Sequence, residues 1–496
     1  MGSSNKIFSG VFWSVITSIV NALYGFIMVP ILITHFGKAE YGLIGLAHSV
    51  NAYMQLMDMG LTSTNVRFFS NWLAGGDESK VKKLFSTCTA FYGCVGFINA
   101  AVLLIVMLFS STLFNVTPEQ DIILKKLLGI LAIAALINWF TSCYNQIIQA
   151  TENVAWTQKR LLITKVLMVC ALIVTIWLNL SITVYFALTI LCNWLILPWV
   201  IRKVKQVAPM VNFMPRFDKT VFLDILPYTF NIFLFSIFQF SYLNLQPIFL
   251  GVRNTVESVA DYKVVMGIVG ICSVVTNVFL NAMLPSSSKA VANNDKNAFD
   301  KIAYQGTKYI MIFLGFCVFG MITVDKNLLV LYVGDSFLYL IPCLNIILLS
   351  LLSRHLNAIA SLILGGTNLK PIVYMTAFSA IIALVVSWLL IPSYGVLAVA
   401  FSILCFELLQ ALFYYLYYFP KVMNIRSGYI FTTTFIPITL MGVTCCFLAS
   451  LVPSTSSLWI DVIVKGCTFA LGYVLMMFLY VNNEDKAFIL RMLKRE

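Results

Sequence analysis

The sequence predicts an all-α integral membrane protein: about fourteen transmembrane helices, as two six-helix lobes in a parallel pseudo-twofold repeat plus two extra C-terminal helices. Three observations predict it. Apolar residues make up 60% of the 496-residue chain and charged residues 10%, where a soluble domain is nearer half and a quarter. The apolar residues come in continuous runs of about twenty, the length of a membrane-crossing helix, and not in the ten-residue alternation of a barrel strand. The polar segments between the runs alternate between basic-rich and basic-poor.

Lipid offers backbone polar groups no partner, so each run must satisfy its own as a helix. The runs fall at approximately 11–33, 41–63, 84–110, 122–149, 161–180, 182–201, 222–250, 259–285, 305–324, 337–364, 371–391, 396–418, 429–452 and 458–481. The first is too long for a signal-peptide core and has no small-residue cleavage site after it. With the N-terminus inside, twenty-two basic residues fall in the inner segments: Lys6; Arg67, Lys80, Lys82 and Lys83; Lys159 and Arg160; Arg202, Lys203, Lys205, Arg216 and Lys219; Lys289, Lys296 and Lys301; Lys370; Lys421 and Arg426; Lys486, Arg491, Lys494 and Arg495. The outer loops hold three, Lys38, Arg253 and Lys326. Basic residues collect on the cytoplasmic side, so both termini are expected there. The net charge of +12 is thereby explained without a nucleic acid.

The twelve cysteines lie almost entirely inside apolar runs, no CxxC pair occurs, and the three histidines, His35, His48 and His355, cluster with no other ligand type. Neither a disulfide framework nor a metal site is expected.

The chain divides into a first lobe (1–201), a basic cytoplasmic linker (202–221) with Pro209 and Pro215, a second lobe (222–420), and the last two helices with the tail (421–496). The lobes echo each other. Pro30 and Tyr41 of the first match Pro247 and Tyr262 of the second, and spans four and ten end in related stretches, Ile147 to Asn153 and Leu362 to Asn368. Two parallel repeats place a substrate site between lobes.

The stretch from Val29 to Leu73 resembles the opening of Wzx-type O-antigen and polysaccharide flippases, of the multidrug, oligosaccharidyl-lipid and polysaccharide exporter superfamily. Pro30, Phe36-Gly37, Glu40-Tyr41-Gly42, Asp58-Met59-Gly60-Leu61 and Arg67 carry the resemblance, with Gln149-Ala150 and Gly365-Gly366. It implies a multi-pass protein of the bacterial inner membrane that moves an undecaprenyl-pyrophosphate-linked oligosaccharide from the cytoplasmic to the periplasmic leaflet for lipopolysaccharide or similar surface polymer. Its expected partners are that lipid, the membrane, and other membrane proteins of polysaccharide assembly. The first span lacks the arginines of the peptidoglycan-precursor branch, which counts against that substrate.

No nucleophile–base pair, phosphate loop or metal spacing stands out, and no enzyme is expected. A pyrophosphate is met by Lys and Arg through charge-assisted hydrogen bonds, and charges within spans are costly, so they mark function or pairing. Arg354, well inside span ten, is the leading substrate contact; the alternative is a structural pair with an acid, and Glu407 of span twelve is attractive as that acid. Lys165, Lys308 and Lys263 either snorkel to the interface or greet a phosphate, with Arg67 near the inner mouth. Lys125, Lys126 and Lys465 read as interfacial. Glu407 and Asp58 could carry a coupling H+ or Na+, or neutralise a buried base. Asn21, Asn231 and Gln239 offer sugar hydroxyls partners, or bond to other helices. Pro30 and Pro247 are expected hinges, because each removes a backbone bond. The alternative function is a cation-coupled exporter of small molecules, but basic residues outnumber acids within the spans. A membrane glycan polymerase or ligase would need a sizeable outer loop, and the longest here are about a dozen residues.

Overall fold

The computed structural model describes residues 3–58, 60–151, 153–364, 370–455 and 457–480. Readings that rest on Met59, on Gly365-Gly366, on Lys486, Arg491, Lys494 and Arg495, and on the side chains of Lys6, Asn231 and Lys289 lie outside the described residues. The architecture is all-helical, with no strand among the described residues. Eleven helical stretches among them are long and apolar enough to cross a membrane. The other three expected spans also fall on helices. Runs 222–250 and 259–285 lie in Lys219–Arg253 and Val256–Ala292. Run 41–63 is interrupted.

The chain forms two compact units, residues 1–267 with 376–402, and residues 268–375 with 403–496. Unit 1 contains α1 (Ser3–Phe36), α2 (Lys38–Tyr53), α3 (Leu61–Ala74), α4 (Glu78–Leu108), α5 (Pro118–Ala150), α6 (Val154–Trp177), α7 (Ile182–Leu195), α8 (Leu197–Val207), α9 (Lys219–Arg253) and the start of α10 (Val256–Ala292). Unit 2 contains the rest of α10, α11 (Thr307–Thr323), α12 (Ile341–Ser350) and α13 (Asn357–Leu364). It also holds most of α15 (Val396–Phe413), α16 (Ile436–Ser450) and α17 (Leu458–Tyr480), whereas α14 (Lys370–Tyr394) belongs mainly to unit 1.

Three departures from the expected spans have local causes. Span two is not one helix: α2 gives way to a 3-10 turn, Met54–Asp58. Gly60, left-handed at φ 81°, then starts α3. Glycine alone accepts that conformation cheaply, and the Asp58 carboxylate accepts the Thr62 N–H at 3.1 Å, satisfying a first-turn donor of the new helix. Span ten is likewise broken by the 3-10 turn Leu351–Leu356 between α12 and α13; such turns within a helix often mark functional hinges. The linker expected at 202–221 is shorter, because the chain stays helical through Val207 and resumes at Lys219.

Polar caps set several boundaries. Asp77 accepts the Lys80 N–H at 3.0 Å before α4, Thr117 and Gln120 form a reciprocal box before α5, and Asp218 takes the N–H groups of Thr220 and Val221 at 3.0 and 3.3 Å before α9. These bonds hold the Asp77 carboxyl low, through the Lys80 N–H first, and the Asp218 carboxyl low, through the Thr220 hydroxyl first.

Glycines let helices approach closely, as membrane packing favours. A Cβ on Gly93 would stand 2.7 Å from the Phe140 ring, so α4 lies directly against α5. One on Gly42 would stand 2.0 Å from the Val256 carbonyl oxygen, so α2 meets the start of α10 backbone to backbone. That contact is clasped by Lys38 and Asp261 at 2.7 Å, by Gln120 donating to Glu257 at 3.0 Å, and by Asn115 donating to the Asn254 carbonyl at 2.6 Å. Gly42→Ala is expected to force α2 and α10 apart at a cost of about 1–3 kcal/mol and lower the thermal midpoint in detergent. Gly25→Ala, with nothing within 4 Å of its Cβ, is expected to leave the midpoint unchanged or raise it. Equal midpoints for wild type and Gly42→Ala would contradict the close approach.

Candidate functional site: a polar cavity in unit 1

The pattern of α5 builds the site. Asn138, Ser142 and Gln146 recur at four-residue spacing, and Trp139 stands one position on, so these side chains share one side of a helix. Opposite them come Asn51 at the end of α2, Gln55 and Asp58 of the 3-10 turn, Thr62 of α3 and Asn99 of α4. All of these except Gln146 line a cavity of about 370 Å³, with Phe240 of α9 on its wall. Gly96 of α4 makes room for it, since a Cβ there would meet the Trp139 Cβ at 3.2 Å.

Among the described residues, Asp58 is the one ionisable group on this wall. Its Oδ1 accepts the Tyr92 hydroxyl at 2.6 Å and the Thr62 hydroxyl at 3.0 Å. The Gln146 amide donates to the Tyr92 and Thr62 oxygens at 2.8 and 3.0 Å, and Asn65 donates to Gln146 Oε1 at 2.9 Å. A fully buried Tyr92 and a buried Gln146 thus hold the carboxylate in place from below while its outer side faces the cavity. Asn99 is 2% exposed, and its Oδ1 has no hydrogen-bond partner. A buried amide oxygen left unpaired costs about 1–3 kcal/mol, and a ligand donor or water in this cavity would relieve that. Amides and hydroxyls over an indole face suit sugar hydroxyls on one side and sugar C–H groups on the other.

In unit 2 the suspected pair is present: Arg354 Nε lies 3.4 Å from Glu407 Oε1. Ser353 donates to Glu407 Oε2 at 2.6 Å, and Arg354 reaches Ser273 at 3.4 Å. His355 is fully buried, with Nδ1 2.5 Å from the Leu352 carbonyl and Nε2 2.6 Å from the Tyr415 hydroxyl. From the 3-10 turn, Ser353 and Arg354 reach Glu407, while His355 meets Tyr415 eight residues further along the same helical stretch.

The other expected site residues are dispersed. Lys165 stands over the Tyr24 ring at 4.3 Å, Lys308 over the Tyr480 ring at 4.7 Å, and Lys263 donates to Ser49 at 3.4 Å. Arg67, Asn21 and Gln239 are exposed. Lys125 and Lys465 pair one turn back with Asp121 and Asp461, at 2.6 and 2.8 Å. Pro30 and Pro247 lie within the unbroken helices α1 and α9. Of the expected substrate and coupling residues whose side chains are described, Asp58 is the one on the cavity wall. Tyr92, Asn99, Asn138, Trp139 and Gln146 were missed, although the polar spacing along α5 carried the signal. No group of three potential metal ligands occurs among the described residues.

These long apolar helices define a multi-pass α-helical membrane protein. The chain belongs to the polysaccharide biosynthesis protein family, whose model matches residues 7–291. A search of curated protein sequences finds no significant match. Among solved structures, the fold is similar to the lipid II flippase MurJ in an inward closed conformation, with TM-score 0.73, 13% identity, and 95% of this chain and 98% of that one covered. It is also similar to an inward-facing multidrug resistance MATE transporter, with TM-score 0.61, 12% identity, and 80% and 92% covered. For the MATE multidrug transporter DinF-BH the values are 0.56, 17%, and 83% and 95%.

If Arg354 and Glu407 stabilise each other, the single variants Arg354→Ala and Glu407→Gln should each cost stability and the double variant less than their sum. The expected coupling is on the order of 1 kcal/mol, read from denaturation of the four proteins. Strict additivity would show that the two groups ignore one another.

Proposed function

We propose that the protein is a flippase for a polyprenyl-pyrophosphate-linked oligosaccharide. It carries the head group from the cytoplasmic to the periplasmic leaflet by alternating access and supplies synthesis of an O-antigen-like surface polysaccharide. The observation that carries this reading is the unit 1 cavity, which offers amides, hydroxyls, one carboxylate and an indole face inside a helical membrane protein. Family membership and the MurJ-like fold support it. The proposal includes fourteen crossings with both ends cytoplasmic, two six-helix lobes, and a bacterial inner-membrane location; the basic-residue asymmetry supports that orientation. Asp58 and Glu407 are its candidate H+ or Na+ carriers.

On that topology the clasp between α2 and α10 closes the outer side, and transport requires it to open. Lys38→Cys with Asp261→Cys, joined by a short bifunctional thiol reagent in a background without the other cysteines, is expected to arrest transport. Transport should return when a cleavable linker is cut. Full activity of the linked protein would refute the outer gate.

One observation favours a second reading, export of small organic cations: Asp58 faces the cavity with no base on the same wall among the described residues. Reconstituted vesicles separate the two. With a fluorescent undecaprenyl-pyrophosphate disaccharide in one leaflet, the flippase reading expects protein-dependent loss of the fluorescence that an impermeant quencher can reach. No such loss, together with ion-driven uptake of a fluorescent organic cation such as ethidium, would replace the flippase with the exporter.

A further inference from the structure

Resting on the flippase reading, we infer that residues 135–145 of α5 form the docking site for the whole lipid-linked head group: apolar tail, pyrophosphate and first sugar on adjoining faces of one helix. A second cavity adjoins the one around Asp58, and a third adjoins the second. The second, about 290 Å³, is lined by Thr141 and Asn145 of α5, Arg160 of α6, and Asn193 and Trp194 of α7, and shares Asn138 with the Asp58 cavity. The third, about 610 Å³, shares Thr141 and Leu197 with the Arg160 cavity, and it is mainly apolar, with Leu136, Ile137, Phe140 and Val204 on its walls.

At about 100° per residue, Leu136, Ile137 and Phe140 turn one way, Thr141 and Asn145 the next, and Asn138, Trp139 and Ser142 the next again. The three chemistries therefore follow one another around the helix in the order of the ligand's own parts. The hydrocarbon groove suits an isoprenoid tail.

The middle cavity carries the argument for the pyrophosphate. Arg160 Nε is buried with no hydrogen-bond partner, and so is Asn145 Oδ1. Among the described residues no carboxylate pairs with Arg160; a guanidinium so placed in a membrane protein is expensive, and a bidentate phosphate contact is the partner its geometry suits. The Asn145 amide donates to the Thr141 carbonyl at 3.3 Å, and Trp194 Nε1 donates to Asn138 Oδ1 at 3.3 Å. The walls beside Arg160 are thus held in place before a ligand arrives. Among the described residues the Asp58 cavity has no base on its wall, so it takes the sugar and repels the phosphates, which fixes the ligand's direction. On the expected topology the Arg160 cavity opens toward the cytoplasmic half of the membrane, where the lipid-linked sugar is made.

The test is binding of radiolabelled undecaprenyl pyrophosphate, bare or carrying one N-acetylhexosamine, to the protein in nanodiscs of neutral phosphatidylcholine. Arg160→Gln and Asn145→Leu are expected to weaken both probes, the arginine change by about tenfold or more. Trp139→Leu should weaken the sugar-bearing probe more than the bare one. Lys126→Gln, which removes a charge from the exposed outer part of α5, should match wild type. Wild-type affinity in both Arg160→Gln and Asn145→Leu would overturn the site while leaving the flippase reading standing. Equal competition by phosphatidylglycerol would overturn the occupant, showing a general anionic-lipid site. Competition by inorganic pyrophosphate as strong as by the lipid would refute the role of the apolar groove. If wild type binds neither probe, the flippase reading falls as well.

Discussion

Hydrocarbon supplies no hydrogen bonds, and the rest of the structure follows from that single constraint. Backbone groups must pair within their own segment, so the described chain is helix with no strand. Polar side chains must find partners too, and most do. Gln246 bonds to Ser387 and Ser402 within unit 1, Asn345 reaches Asp325 within unit 2 at 2.7 Å, and Arg354 reaches Glu407. Where a helix breaks, at Asp58 and again at Leu351–Leu356, side chains take over the freed backbone donors or exploit the altered direction. Several buried polar atoms nevertheless stay unpaired, those of Asn99, Asn145 and Arg160 among them. All three residues line cavities on α5.

The fold was legible in the sequence because run length and loop charge are strong, one-dimensional signals. A continuous apolar run of about twenty residues has few alternatives, and the helices found coincide with the expected spans to within a few residues at most places. The breaks were less legible. Hydropathy averages over a window and cannot see that Gly60 adopts a left-handed conformation, or that Ser353 and Arg354 turn together toward Glu407.

The candidate site was legible only in part. Asp58 and the Arg354–Glu407 pair were named because charges inside spans are conspicuous. The amides were not, since Asn99, Asn138 and Gln146 lower a hydropathy window only slightly; their meaning lies in the spacing along α5 and in the companions the fold brings from α2, α3 and α4. Arg160 was counted as a loop charge because the apolar run begins at 161, whereas α6 begins at Val154. Because the helix starts before its apolar run, Arg160 lies on a helix and lines a cavity. Lys165 and Lys308, expected by position either to snorkel or to meet a phosphate, stand over Tyr24 and Tyr480, a partner choice that no spacing rule reveals.

The account therefore turns on α5 as the helix that reads the ligand. The most direct test is a cryo-electron microscopy reconstruction in nanodiscs with an undecaprenyl-pyrophosphate N-acetylhexosamine bound. The account predicts density with the pyrophosphate beside Arg160 and Asn145, the sugar against Trp139 and Asp58, and the first isoprene units along Ile137 and Phe140. Ligand density beside Arg354, with the α5 cavities holding only water, would contradict it.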